Sequence, residues 1–389
     1  MAGPWTLRVR KADLSSGRII NDWQGALDER WNIADTLQVT GRWDALWPLC
    51  QTAPTLGVDQ LDGGCTLSDG SGRRFSGVLA DVDYEFDGDQ LTLTFESDLI
   101  HLWDRDVYPD PAHVWESQAT DYDVQTSSPA ETVALHYIDK NAGPGAVAAR
   151  RVSGLVVPSS LGRGGTIDNL KARFDSLGRL VADIAIAAGL RVTVLQDEAD
   201  LNVTVTASTD RTATARFGSG YSGGTAGVGQ GAYVRFSRPD LTRGLVAGGG
   251  LGALRVLRER EDTAAETAWG RRIEQTVDQS STSDTGELDK AGDDALATGA
   301  QPVQLNAPVI DLPDLRLGVD VQLGDLVTVD LRRWVVQDRL QQITTVISGD
   351  PGSPTVTVTG VIGSDEAGLT RTQKEFLAMK RQLRKVVSQ

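Results

Sequence analysis

Hydrophobic and polar residues alternate most strictly between residues 78 and 96. From residue 78 every second side chain is apolar, and most of those between are carboxylates. Asp87 and Gly88 then favour a tight turn, after which the alternation resumes. This pattern predicts a β-hairpin with one apolar and one polar face. We expect Val78, Ala80, Val82, Tyr84 and Phe86 on one face of its first strand and Asp81, Asp83 and Glu85 on the other.

Residues 112–200 have the spacing of helices instead. Ser128 and Pro129 supply a cap and a preset first position, which predicts a helix start. Apolar residues recur at spacings of three and four across 170–184, which predicts a second helix ending near Gly189. Strand-like residues follow, so this part of the chain is predicted to be a small α/β block.

Strands are predicted again from residue 201 onward. Residues 201–207 and 212–217 have strand patterns, and the glycine-rich run 218–231 favours a loop. The best helix between this loop and the next strands is 287–296. Four short strands within 321–362 suggest a small antiparallel barrel.

Residues 364–389 are predicted to form a C-terminal helix, because acidic residues near its start and basic residues near its end complement the helix dipole. Apolar residues recur every seven positions in two sets three residues apart. They form a candidate trimer interface of Leu369, Thr372, Phe376, Met379, Leu383 and Val386. The alternative is a single amphipathic helix docked on its own domain, since three heptads are marginal alone.

The composition is that of a folded protein, with 40% hydrophobic and 23% charged residues among 389. Lys and Arg number 38 and Asp and Glu 53, which gives a formal charge of −15 and excludes a basic, sequence-independent DNA binder. The chain shows neither a signal peptide nor a long apolar run, so we expect no membrane span. Cys50 and Cys65 are too few for a disulfide framework, and whether they pair stays open.

Three motifs suggest chemistry that their surroundings do not support. Ser222 lies in a G-x-S-x-G sequence, but all three histidines precede it, unlike the order in α/β-hydrolases. The glycines of 248–253 fit a dinucleotide fingerprint, but the residues that follow lack an apolar helical face, which favours a bulge between strands. The carboxylates of 81–88 resemble a calcium loop, but Thr94 stands where a bidentate Glu is required. We therefore expect no cofactor and no metal.

Two further groups admit a functional and a structural interpretation. Asp104, Asp106 and Asp110 near His101 are candidate acid/base groups, although acidic loop residues are common in this chain. Tryptophans crowd the first fifty residues and suggest either a sugar-stacking platform or, preferably, core and interface packing. They are Trp5, Trp23, Trp31, Trp43 and Trp47.

Several segments, taken in order, resemble the minor tail proteins of long-tailed actinobacterial phages, a family of baseplate-hub or tail-tip proteins. The segments are 95–111, 130–155, 246–255, 270–274 and 323–329. The resemblance is distributed over roughly residues 75–362. None of these motifs is catalytic or diagnostic by itself.

The resemblance implies a mainly β chain with two barrel-like tube domains, a smaller α/β block between them and a C-terminal helix. The expected regions are 1–111, completed by strands from about 201–245, then 112–200, 201–363 and 364–389. It also implies a non-enzymatic structural protein of the virion, assembled in the host cytoplasm and located at the distal end of the tail. There a homotrimer would adapt the sixfold tail tube to a threefold tip.

The implied partners are the distal tail or tail tube protein, the tape measure protein and receptor-binding or tail fibre proteins, with DNA only in passage. A tail lumen must let DNA slide, and an acidic wall repels phosphate. Asp81, Asp83 and Glu85 are therefore candidates for a lumen-facing surface, unless acidity only keeps the protein soluble. Two rival functions remain: a cell-wall-degrading enzyme using Asp104 and Asp106, and a carbohydrate-binding receptor protein using the tryptophans.

Overall fold

A computed structural model of the chain describes residues 5–50, 64–220, 226–300, 304–349 and 354–363. The predicted C-terminal helix and its six interface candidates lie outside the described residues. Internal contacts divide the chain into two compact units. Unit 1 comprises 1–230 and 308–362, and unit 2 comprises 231–307 and 363–389.

The structure is mainly β, as the alternating patterns predict. The first elements are β1 (Thr6–Arg10), β2 (Ser16–Ile20), β3 (Gln24–Arg30), β4 (Thr36–Arg42), α1 (Trp43–Cys50), β5 (Gly64–Asp69), β6 (Gly72–Glu85) and β7 (Gln90–Ser97). A mixed region follows with α2 (Ile100–Trp103), β8 (Asp123–Gln125), β9 (Ser128–Pro129), α3 (Ala130–Asn141), β10 (Leu155–Val156), β11 (Thr166–Ile167), β12 (Leu170–Ala172), α4 (Leu177–Ala187), β13 (Leu190–Asp197) and β14 (Asp200–Ala207).

The remaining elements are again mostly strands. They are β15 (Arg216–Gly218), β16 (Tyr233–Arg235), β17 (Arg243–Ala247), β18 (Leu257–Glu261), α5 (Thr263–Trp269), β19 (Glu274–Asp278), α6 (Thr285–Gly299), β20 (Gln304–Ile310), β21 (Leu326–Leu331), β22 (Trp334–Ser348) and β23 (Thr355–Gly363).

The main sheet of unit 1 is antiparallel and runs in the order β23-β22-β3-β4-β7-β6-β5-β1-β2. Its period-two pattern places one apolar face on a core that includes Leu37, Val39, Leu93 and Phe95, all fully buried. Burial of each such side chain stabilises the fold by about 1.5–3 kcal/mol. The pairing of β22 with β3 means that strands near residue 340 extend the N-terminal sheet.

The predicted hairpin is present as β6 and β7, with one irregularity. A bulge between Leu79 and Asp81 leaves Ala80 without a partner and shifts the register. Val78 pairs with Glu96 and Asp81 pairs with Thr94, so Val78 shares a face with the carboxylates instead of opposing them. Strict alternation from residue 78 onward is therefore wrong at this position.

The α/β block is present between β7 and β15. Helices α3 and α4 pack together, and α4 packs on the β13–β14 hairpin around a buried aliphatic core. Helix α3 begins at Ala130, one residue later than predicted: Pro129 is the N-cap, Ser128 lies in β9, and no side chain caps the helix because the Ser128 hydroxyl donates to the Thr126 carbonyl instead. Helix α4 is shorter than its apolar spacing suggests, because residues 170–172 form a strand and Phe174 adopts a left-handed φ of 54°, which a continuing helix excludes.

A buried polar network joins this block to the main sheet within unit 1. The Asp98 carboxylate, which is fully buried, accepts hydrogen bonds from Arg10 Nη1 at 2.6 and 2.8 Å and from the Ser76 hydroxyl at 2.5 Å. Ser76 Oγ in turn accepts a hydrogen bond from the backbone N–H of Gln196 in β13 at 2.8 Å. Buried polar groups of this kind are costly unless paired, so the network fixes the α/β block on the sheet.

Two of the four strands predicted between residues 321 and 362 form a single continuous strand in the structure. Strand β22 runs without interruption from Trp334 to Ser348, with a bulge between Leu340 and Gln342. Its first half pairs with β21, and its second half pairs with β3 and β23. The strand therefore belongs to the main sheet only over its second half. Strand β15 pairs in parallel with β21.

Unit 2 contains a three-stranded sheet in the order β18-β17-β19, covered by α6. The α6 helix spans and extends the predicted 287–296, and the Asp284 carboxylate caps it by accepting from the Glu287 N–H at 2.9 Å. Paired charges connect the helix to β18, with Arg258 on Asp289 at 2.6 Å and Arg260 on Asp293 at 2.7 Å. Strand β16 pairs with β20.

Candidate functional site

The face of the main sheet opposite its core is lined mainly by carboxylate, hydroxyl and amide side chains, with Val78, Ala26 and Val346 among them. Because antiparallel partners point to the same side, the register defines its rows. One row is Val78, Glu96, Thr36, Asp28, Thr344 and Thr359. The next is Asp81, Thr94, Gln38, Ala26, Val346 and Thr357, and a third is Asp83, Thr92, Thr40 and Gln24. These three rows are called the polar sheet face below.

The predicted lumen residues lie on or beside this face. Asp81 and Asp83 belong to two of its rows, and Glu85 follows opposite Gln90. All three side chains are exposed. Their function in lining a lumen stays a prediction, but the structure places them together on an accessible surface.

Asp28 is a member of this face that the sequence did not single out. Its carboxylate accepts hydrogen bonds from Arg30 Nε at 2.9 Å, Gln342 Nε2 at 2.6 Å and Thr344 Oγ1 at 3.0 Å. The last two donors come from β22, more than 300 residues away along the chain. The alternation within β3 marks Asp28 as a polar-face residue, but only the strand pairing brings these donors to it.

Carboxylates influence one another at one edge of the polar sheet face. The pKa of Glu96 is raised, mainly by burial and further by the negative charges of Asp104 and Asp81. The hydroxyls of Thr40 and Thr92 lie 3.2 Å apart and hydrogen bond across the strands. The surface therefore combines negative charge with short hydroxyl side chains. Two arginines lie at its edge, Arg30 at the end of β3 and Arg42 at the end of β4.

A polyanion could touch this surface without binding to it. The Thr, Asp and Gln side chains are short and are held in place by the sheet, and the negative charge of the carboxylates repels polyanions. Among the described residues, no group of three or more His, Cys, Asp or Glu side chains is placed to hold a metal ion.

Of the acidic residues considered for catalysis, Asp110 pairs with a different histidine, and Asp104 has only a minor charge effect on the pKa of His101. His101 lies 3.9 Å from Asp98, whereas Asp110 pairs with His113 at 2.9 Å. Asp104 is exposed, and Asp106 forms an isolated bridge with Ser176. Burial lowers the pKa of His101, which opposes its protonation. These residues therefore have different partners and do not share one acid/base site in the structure.

The tryptophans considered as a sugar platform lie mostly in the core. Trp5, Trp23 and Trp31 are each at most 6% exposed, in agreement with the packing interpretation. Trp43 and Trp47 of α1 stack at 4.5 Å between ring centroids, and Trp43 also lies against Tyr84 of β6. No continuous ring surface is formed by all five.

The other sequence motifs have structural positions. Gly248 to Ala253 lie in the connection from β17 to β18, where a single 3₁₀ turn replaces the helix that a dinucleotide site requires. The carboxylates of 81–87 belong to β6 and its turn. Of the G-x-S-x-G sequence at 220–224, residues 221–224 lie outside the described residues. Cys65 is a buried free thiol whose pKa is raised by burial.

Comparisons with known proteins agree with a tail-protein fold. A family model described as "Siphovirus ReqiPepy6 Gp37-like protein" matches residues 6–363. No protein of curated function matches the sequence. In the part of the chain that the structure describes, none of the helices is both long and apolar enough to cross a membrane.

Solved structures of tail proteins share the fold at low sequence identity. The 43 kDa tail protein of prophage MuSo2 from Shewanella oneidensis has a TM-score of 0.57 at 14% identity, covering 94% of this chain and 99% of its own. A tail protein from Neisseria meningitidis MC58 has 0.54 at 15%, covering 94% and 98%. Prophage tail protein gp18 from Listeria monocytogenes EGD-e has 0.53 at 11%, covering 100% of both chains.

Proposed function

Because this chain belongs to the siphovirus Gp37-like tail protein family, we propose that it is a structural tail-tip hub. In this proposal three copies cap the tail tube at the distal end of the virion and adapt its sixfold symmetry to a threefold tip. The hub would join the tail tube or distal tail protein and the tape measure protein to receptor-binding or fibre proteins, after assembly in the host cytoplasm. No enzymatic step is included.

The observation that carries this proposal is the polar sheet face. A hub must leave a channel for DNA, and its wall must not retain the phosphate backbone. Each phosphate contact with a basic side chain would strengthen binding and its salt dependence, whereas carboxylates oppose it. The formal charge of −15 and the exposed carboxylates of Asp81, Asp83 and Glu85 along β6 support placing this face toward the lumen.

The interpretation predicts a charge-reversal effect that depends on position. A triple variant, Asp81→Lys, Asp83→Lys and Glu85→Lys, should assemble into tails but deliver DNA poorly, because the wall would then attract phosphate. The matched control reverses three exposed carboxylates of the α/β block, Glu116→Lys, Asp183→Lys and Asp200→Lys. Both variants change the formal charge by the same amount.

Complementation of a phage that lacks this gene measures the outcome. We expect normal tail counts by electron microscopy for both variants and a loss of titre for the polar-face variant alone. Equal titres for the two variants, whether both normal or both reduced, would contradict a lumen position for Asp81, Asp83 and Glu85. Circular dichroism of the purified variants verifies that each one folds.

A further inference from the structure

Unit 1 contains a cavity on the side of the sheet opposite the polar sheet face. Its volume is about 320 Å³, within the range of small-molecule sites. It lies where the start of β6, strand β13 and the loop before β21 meet. Its lining is mostly polar, and the side chains that matter here are Glu29, Asp35, Arg73, Arg74 and Arg191.

Two of the three arginines of this cavity, Arg73 and Arg191, are incompletely neutralised. Arg74 pairs with Glu29 at 3.0 Å and lies 3.9 Å from Asp69, whereas, of the carboxylates that the structure describes, Arg191 lies within ion-pair distance of Glu29 alone, at 3.8 Å. Glu29 is therefore shared by two guanidinium groups. Arg73 donates to the Gln196 carbonyl at 2.8 Å, and within the described residues no carboxylate oxygen lies within ion-pair distance of it.

Two observations indicate that an acceptor is missing. The Nε of Arg191 is buried and has no hydrogen-bond partner, a condition that is unfavourable in a folded protein. Burial is also the main cause that lowers the pKa of Arg73, which means that its positive charge is poorly solvated. An anion placed beside these groups would relieve both penalties.

The carboxyl group of Asp35, which also lines the cavity, opposes the positive charge of the arginines only weakly. Burial raises the pKa of Asp35 to about 7, against the opposing effects of Arg191 and of the Arg30 N–H that it accepts at 2.8 Å. The neighbouring carboxylates Glu29 and Asp28 raise it further. Near neutral pH the Asp35 carboxyl is therefore partly protonated, and it then offers a donor instead of a charge.

We propose that this cavity binds a phosphate-sized oxyanion, held by the guanidinium groups of Arg73 and Arg191 while Arg74 holds Glu29. Guanidinium forks match the geometry of phosphate oxygens, and each charge-assisted hydrogen bond is about twice as strong as a neutral one. The shared chemistry is a phosphoryl group, either as free phosphate or on an organic carrier. This binding goes beyond the proposed hub function and does not depend on it.

Isothermal titration of the full-length protein with inorganic phosphate, against sodium chloride at equal ionic strength, tests this site. We expect saturable binding of one phosphate per chain and none of chloride. Arg73→Gln and Arg191→Gln should each weaken the affinity about tenfold or more. Arg18→Gln, at an exposed arginine of β2, should leave it unchanged.

Arg191→Gln also removes a neighbour of Glu29, so each variant is first compared with wild type by circular dichroism. If Arg191→Gln does not fold, Arg73→Gln alone decides. Glycerol 3-phosphate as a second titrant distinguishes the sources: binding of both probes indicates a carrier-borne phosphoryl group, and binding of inorganic phosphate alone indicates the free ion. Absence of saturable binding, or wild-type affinity in the folded Arg73→Gln variant, would overturn the proposal.

Discussion

The Arg10–Asp98 pair offers a sharp test of how the α/β block is held on the main sheet. Its side chains are 2% and 0% exposed, and two hydrogen bonds of 2.6 and 2.8 Å join them. Arg10→Met would remove the cation and leave the carboxylate buried. The Ser76 hydroxyl would then face that charge without the guanidinium.

The expected loss follows from this burial. Breaking a buried ion pair by removing one partner costs about 3–5 kcal/mol, because the remaining charge is uncompensated. The control is Arg316→Gln, which breaks an ion pair whose side chains are 53% and 37% exposed. An exposed pair of this kind contributes about 0–1 kcal/mol. The two variants therefore differ in burial far more than in chemistry.

Urea unfolding monitored by tryptophan fluorescence measures the difference, since Trp5 and Trp23 are buried in the same core as the sheet. The double variant Arg10→Met and Asp98→Leu should recover most of the loss, because an apolar pair carries no unpaired charge. A loss below about 1 kcal/mol for Arg10→Met would refute the reasoning. So would a double variant as unstable as the single one.

Three further substitutions test other parts of the fold. Because burial raises the pKa of Asp35 to about 7 from 3.8, the stability contributed by its protonated form is present below about pH 4 and lost as the pH rises through 7. Asp35→Asn should therefore gain stability relative to wild type between pH 5 and pH 8 in thermal unfolding. Gly178→Ala would place a Cβ 2.5 Å from the Trp103 ring and should cost about 1–3 kcal/mol in urea unfolding, whereas Gly165→Ala, with open space around it, should not. Asp284→Ala removes the α6 cap and should cost about 1 kcal/mol, measured by the loss of hydrogen-exchange protection at the start of α6.

Local patterns predicted the elements better than their partners. The β6–β7 hairpin follows from alternation, helix α3 from the spacing of its apolar residues and the core of α6 from its helix-permissive residues, whereas the Ser128 cap predicted for α3 does not form. The bulge at Ala80 does not follow from these patterns, because it depends on how β6 meets β7 and not on the residue types themselves. Residues 170–172 form a strand although Leu170, Phe174 and Leu177 have helical spacing, because the left-handed φ of Phe174 separates them from α4.

The polar sheet face was predictable only in part. The shared face of Asp81, Asp83 and Glu85 on β6 can be predicted from the sequence because these carboxylates alternate with apolar residues. Its continuation to Asp28 and Thr344 depends on β22 pairing with β3, a contact between the two ends of the chain. The arginine cavity was invisible for the same reason, because β6 and β13 supply its guanidinium groups from distant positions.

The oligomeric state of the full-length protein tests the hub proposal most directly. Light scattering across a dilution series should give about 125 kDa, three times the mass of the 41.6 kDa chain. A second, shorter protein that ends at Ser364 tests the heptad residues Leu369, Phe376 and Leu383. If these residues strengthen the trimer, the trimer of the shorter protein should dissociate on dilution more readily than that of the full-length protein. A full-length protein that remains at 41.6 kDa at every concentration would contradict the trimeric hub.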